Sequence, residues 1–103
     1  MTASSQGYIQ KLCLCSGGSF RLKSIMGYHK GAAQAYLQIH QASTEPADQA
    51  VPWHVQALFA EDNFFISLPP DGLDLGNAFI VVSTTAATYT AGAADIICTV
   101  TGS

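Results

Sequence analysis

The chain has 103 residues, 49% of them apolar and only 11% charged, with a formal net charge of −3. That length builds one domain around a single core, and the longest strongly apolar run, Ala78–Val82, is far short of the ~20 residues that cross a bilayer as a helix. Lys11, Arg21, Lys23 and Lys30 are the only fixed cations, too few for the dense basic footprint of a nucleic-acid binder, and three cysteines do not make a disulfide framework.

In chain order the pattern is one of short period-two runs separated by turn residues. It predicts an all-β fold, an antiparallel β-sandwich of seven to eight short strands, jelly-roll or immunoglobulin-like. Alternation does not choose between these two, because it carries no strand order. Residues 1–9 are expected to form a flexible N-terminal arm, which Tyr8 would anchor on a neighbour, and residues 10–103 a single sandwich domain. Residues 1–7 lack the charged-then-apolar build of a secretory signal, so synthesis in a cytoplasm is expected.

Residues 10–15 alternate, with Leu12 and Leu14 on one face and Cys13 and Cys15 on the other. Ser16-Gly17-Gly18-Ser19 predicts a hairpin turn, since glycine tolerates the positive φ that tight hairpins require. It would lead into a paired strand with Phe20, Leu22 and Ser24 on one face and Arg21 and Lys23 on the other. Gly27 and Gly31 bracket a loop carrying Tyr28, His29 and Lys30. In the third strand Ala35, Leu37 and Ile39 alternate with Tyr36, Gln38 and His40.

Residues 41–50 form a loop centred on Pro46, and a helical turn over Pro46–Ala50 is allowed because Thr44 can cap it. Trp53, Val55, Ala57 and Phe59 share one parity of a fourth strand, and Pro52 suits its start or an edge. Glu61-Asp62-Asn63 is a turn. Phe64, Ile66 and Leu68 face one way in the fifth strand and Phe65 faces the other. Pro69-Pro70-Asp71-Gly72 is strong turn chemistry. Residues 77–83 are apolar on both faces and so predict a central strand. Thr84–Ala94 holds a turn, and residues 95–101 end the pattern with Ile96, Cys98 and Val100 on one side.

No motif builds a reactive centre. Zinc takes about four ligands, and Cys13-x-Cys15 has no second pair, so buried thiols are the expected state of these cysteines. His29, His40 and His54 fall in separate elements, although His40 and His54 can reach adjacent strands. Asp71 and Asp74 are too few for the six to eight oxygens of calcium. No serine sits in a nucleophile elbow, and no cysteine–histidine pairing is supported. No enzyme, cofactor or metal is therefore expected.

The low charge points to a surface that meets other protein, because the centres of interfaces are depleted in charge. Phe65 would be uncovered on its strand unless a partner covers it. Trp53 shares a parity with Val55 and Phe59, so core packing is its expected role; an exposed Trp53 would instead suit a sugar-binding platform. The candidate contact residues are Tyr8, Arg21, Lys23, Tyr36 and Phe65.

Five signals occur in a fixed order: Ala35-Tyr36-Leu37-Gln38-Ile39-His40, Glu45-Pro46-Ala47-Asp48, Val51-Pro52, Asn63-Phe64-Phe65-Ile66, and Phe79-Ile80-Val81-Val82-Ser83-Thr84-Thr85. Over residues 30–100 this order resembles the small β-sandwich virion proteins of tailed bacteriophages and related prophages, of the decoration or cement type. The chain departs from that pattern at residues 76–80, where Gly76 precedes Asn77-Ala78-Phe79 and does not follow the aromatic. The resemblance carries no catalytic residues. It implies a β-sandwich displayed on, or built into, a particle, and does not say which part. The leading expectation is a virion structural protein assembled in the host cytoplasm, a homo-oligomer with a trimer as one form, bound to the major capsid protein or other virion proteins. A tail, neck or fibre-base component and a carbohydrate- or receptor-binding module are the other roles to be weighed.

Overall fold

A computed structural model describes residues 2–4, 7–14, 21–42, 44–67, 73–74 and 78–102. The described strands are β1 (Thr2–Ser4), β2 (Lys11–Leu14), β3 (Arg21–His29), β4 (Ala35–His40), β5 (His54–Leu58), β6 (Asp62–Ser67), β7 (Leu73–Asp74), β8 (Ala78–Ser83) and β9 (Ile96–Gly102). They form two antiparallel sheets, as the alternation predicts. Sheet A runs β1-β9-β3-β6, with the two-residue β7 also on β3, and sheet B runs β2-β8-β4-β5. The ladders nest, β1 on β9, β2 on β8, β3 on β6 and β4 on β5, and two more join β3 to β9 and β4 to β8. A long hairpin rolled up on itself produces this order, which is that of a jelly roll.

The core lies between the sheets. Leu22, Ile25, Leu37, Ile39, Leu58, Phe64, Ile66, Ile80, Val82, Ile96, Cys98 and Val100 meet there. β8 is buried along its whole length, as its apolar faces predict: Ala78, Ile80 and Val82 enter the main core, while Phe79 and Val81 join a second one. Ile96, Cys98 and Val100 of β9 all point inward, again as predicted.

Several expectations are corrected. β2 and β3 are not a hairpin, since β2 pairs with β8 in sheet B and β3 lies in sheet A; the Ser16–Ser19 turn and Phe20 are outside the described residues. β3 does not stop before Gly27 but continues to His29. A bulge between Leu22 and Ser24 shifts its pairing with β9, so Ser24 does not share the inward face of Leu22. The extra residue passes that face to Ile25, Gly27 and His29.

Gly27 explains why the strand is hard to see. A Cβ there would collide with the backbone oxygen of Ile97 and lie 2.9 Å from both the Cys98 Cα and the Phe64 ring. Glycine is present to let three strands close up, not to make a turn.

Pro46–Ala50 is not helical. The Ala50 N–H donates to Ala47 O, and Gln49 takes φ 70°, the positive value that a type II turn needs at this place. The turn before β6 sits at Ala60–Glu61, with Asp62 and Asn63 already in the strand. In the segment expected to be an arm, β1 pairs with β9 and Ile9 bridges to Ile96. Leu68 and the Pro69–Gly72 turn lie outside the described residues.

Candidate functional site

The two sheets treat their outer faces differently. Over sheet B the loops 44–52 and 84–91 fold down as a cover. Tyr89 packs with Phe79, Val81 and Ala50 in a second small core. The loops clasp each other through Gln49 N–H to Tyr89 O and Tyr89 N–H to Ala50 O. Beneath them the polar side chains of β4 are spent on the cover. The Gln38 Nε2 amide donates to Thr85 O at 2.9 Å and Thr88 O at 3.0 Å, with a longer contact to Ala86 O.

That assignment turns Gln38 Oε1 toward His40, 2.9 Å from its Nε2, so Nε2 carries the imidazole proton. Burial lowers the His40 pKa below its usual value, because a charged ring loses its hydration there. Gln10 ties the other end, donating to Val82 O and to the Tyr89 hydroxyl. Each of these bonds replaces a water that the buried group has lost.

Over sheet A the described residues provide no such cover. β6, β3 and β9 lie side by side and present three rows outward: Ser67, Ser24 and Thr101; Phe65, Met26 and Thr99; Asn63, Tyr28 and Ile97. All nine are uncharged. Phe65 is 59% exposed, Met26 43% and Ile97 38%. Between the second and third rows lies an open depression of about 570 Å³, lined by Met26, Tyr28, Asn63, Ile97 and Thr99 and by the Gly27, Phe64 and Cys98 positions. The side chains of Phe64 and Cys98 point the other way, into the core. An uncharged, half-apolar floor with hydroxyl and amide groups around it suits the buried centre of a protein contact.

The structure scatters the candidate contact residues. Phe65 lies on this face. Tyr36 is half-buried on the outer side of sheet B, level with Ser83 and Ala57, so the two lie on opposite outer faces of the sandwich. Lys23 is exposed at the bulge. Tyr8 is 44% exposed, with Lys30 Nζ 4.5 Å from its ring centre. Arg21 pairs with Asp74 through the backbone ladder, and its side chain is outside the described set. Met26, Tyr28 and Ile97 belong to the face but not to the sequence list. The parity of Ile96, Cys98 and Val100 already implies an outward Ile97, whereas Met26 and Tyr28 are hidden by the loop reading of Gly27 and Gly31.

Trp53 is not a core residue. Pairing with β4 sets Leu58, Gln56 and His54 beside Ala35, Leu37 and Ile39 on the inward side. The opposite parity therefore faces out, and Trp53 is 45% exposed, tilted against the His54 ring at 6.1 Å.

His40 and His54 do lie on neighbouring strands but on opposite faces of sheet B, because His54 pairs with Ile39. No group of three or more His, Cys, Asp or Glu able to hold a metal occurs among the described residues, and Asp71 is not among them. Cys13 is exposed and disulfide-bonded, not the buried thiol expected. Burial pushes the Cys98 thiol up to about 11, which keeps it protonated and a poor nucleophile near neutral pH. Buried His29 donates from Nδ1 to Phe59 O at 3.0 Å, pinning the β5–β6 connection.

No protein-family model matches the chain, and neither does any curated protein or solved structure.

Proposed function

We propose that the protein is a structural component of a bacteriophage particle, and within that class a capsid decoration or cement protein that stabilises the head through protein–protein contacts. The observation that carries this reading is the asymmetry of the sandwich. One outer face is sealed by the protein's own loops, and the other offers Phe65, Met26 and Ile97 on an uncharged surface. The jelly-roll order is one that viral capsid and lectin domains share, which is an analogy of fold. The phage particle is named by the resemblance over residues 30–100.

Magnitudes favour many copies over one tight contact. Completing the burial of three half-exposed apolar side chains contributes roughly 1 kcal/mol each, or ~3 kcal/mol in all, and association itself costs more than that. A single contact is therefore weaker than millimolar, and firm attachment requires several contacts together, as in a homo-oligomer seated on a repeating shell. The test is co-sedimentation with undecorated phage heads. Saturable binding at one stoichiometry per capsomer, with heads made more resistant to heat, supports the reading. Binding to purified tails at a few copies per particle moves the protein to the tail, neck or fibre-base role.

Exposed Trp53 favours one further reading, a carbohydrate- or receptor-binding module, since an accessible indole is a stacking platform for a sugar. Glycan-dependent quenching of its emission supports that role, and emission unmoved across a glycan panel removes it.

A further inference from the structure

The free edges of the two sheets are unequally guarded. Natural edge strands are blunted by shortness, lysine, proline, bulges or side chains that occupy the edge groups. β1 has only three residues. β2 carries exposed Lys11, 3.2 Å from the Glu45 carboxylate. β5 follows Pro52, and its Ala57 carbonyl accepts from the Gln56 side chain at 3.4 Å. β6 is a six-residue edge with no lysine, proline or bulge inside it; Pro69 follows it by two residues, and a side chain occupies only its first outward amide, that of Asn63, leaving the outward groups of Phe65 and Ser67 open.

Its backbone orientation can be read. The Asn63 N–H donates to the Asp62 carboxylate at 2.8 Å, so it points away from β3. In an antiparallel ladder alternate residues share that orientation, so the N–H and C=O of Phe65 and Ser67 also face outward. Among the described residues neither has a backbone hydrogen bond outside the β3 ladder.

We propose that two copies of the chain join along β6, antiparallel, about a two-fold axis through Phe65. The outward groups are those of Asn63, Phe65 and Ser67, and the register that engages all three residues sets Phe65 opposite Phe65 of the second copy and Asn63 opposite Ser67. Phe65 N–H donates to Phe65 C=O in both directions, and each Ser67 N–H donates to the Asn63 C=O across the axis, while the Asp62–Asn63 bond stays intact. An isologous contact sets one surface against itself, and the neutral stretch Asn63–Ser67 can do this without opposing like charges. The two Asp62 carboxylates fall at opposite ends of the shared ladder, about 20 Å apart. The two Phe65 rings meet on one face, and the sheet A faces join into one apolar surface. A second copy is therefore favoured over a strand from another protein, because self-pairing is satisfied by residues already present. The proposal extends the self-assembly part of the reading above, but its test needs no particle.

Two measurements decide it. In light scattering across a concentration series, the wild-type mass should climb from 10.8 kDa toward twice that value. Ser67→Pro, which removes an edge N–H without touching the core, should weaken the association by roughly tenfold or more while leaving the circular dichroism unchanged. For register, Asn63→Cys and Ser67→Cys proteins are oxidised separately and as a mixture. A disulfide-linked dimer should form in the mixture and not with either alone, since facing residues of a hydrogen-bonded pair lie about 5.5 Å apart, within disulfide reach. A monomer at every concentration, or cross-linking equal in all three samples, overturns the proposal. Because heads are absent, failure here leaves head binding standing, and failure of head binding leaves the dimer standing.

Discussion

Met26 of β3 and Phe65 of β6 are direct cross-strand neighbours, and both remain exposed on the outer side of sheet A. A neighbouring aromatic and thioether pair is favourable where it is buried, yet here it is left open to solvent while the far side of the sandwich is carefully covered. An exposed pair of this kind adds little stability, so on the proposed role substitutions at this face should separate stability from attachment. Met26→Glu and Ile97→Glu should change unfolding free energy by no more than ~0.5 kcal/mol, as surface changes usually do. The same changes should reduce attachment to heads about tenfold or more, because each buries an unpaired charge in the contact. Urea titration and co-sedimentation check the two halves, and a loss of binding that merely follows a loss of stability refutes the contact face.

Gly27→Ala should be severe. The added methyl has no room between Ile97, Cys98 and Phe64, and three strands must part to admit it. A loss of about 2–4 kcal/mol is expected, at the upper end of overpacking effects. Urea unfolding followed by circular dichroism measures it, and a cost below ~1 kcal/mol would contradict the close approach described.

The cover of sheet B should depend on pH in a definite direction. His40 has a lowered pKa in the folded protein, while the unfolded chain titrates at the ordinary 6.5. Between those two values the unfolded state binds more protons, so stability is complete above about 6.5 and falls as pH is lowered through that window. His40→Asn should flatten the corresponding part of a melting-temperature profile between pH 7.5 and pH 5. Gln38→Leu strands the His40 N–H, while the Thr85 and Thr88 carbonyls keep the Ser83 and Thr85 hydroxyls as donors, and a cost of about 1–3 kcal/mol is expected from the one unsatisfied buried group.

Cys98 should resist alkylation in the native protein and react after unfolding, which peptide mass mapping with iodoacetamide reads directly. Its folded pKa of about 11 lies above the 9.0 of the unfolded chain. Its contribution to stability is therefore complete below pH 9.0 and is lost as pH rises toward 11. Rapid alkylation at pH 7 without unfolding would show that the β3–β9 ladder opens readily.

Trp53 reports on its own exposure. Its emission should be red-shifted, with efficient quenching by acrylamide, in line with a half-exposed indole. A blue-shifted, protected emission would instead place the ring under a partner surface, and dilution would then restore quenching.

Much of this fold was legible in local alternation. The inward sets Phe64 and Ile66, Leu37 and Ile39, and Ile96, Cys98 and Val100 could be read directly, because a strand sends successive side chains to opposite faces whatever lies beside it. The two-sided apolar run at Ala78–Ser83 announced a central strand for the same reason. Parity also left Phe65 facing outward. Trp53 was misjudged because parity states which residues share a face but not which face is buried. That choice was made by pairing with β4, through Leu58 beside Ala35.

What the sequence determined by itself was therefore the class of fold, two faces for each strand, and a surface poor in charge. Only the tertiary structure decided that β2 leaves β3 to join β8, that the order is a jelly roll, and that Gly27 lies inside a strand. It also decided that one outer face is capped by loops while the other is left uncovered by the described residues. The physical reason is that alternation is a local property of two soft dihedrals per residue. Strand order is set by backbone groups that bond equally well to any neighbour, and it is resolved only when all the apolar faces must be buried at once.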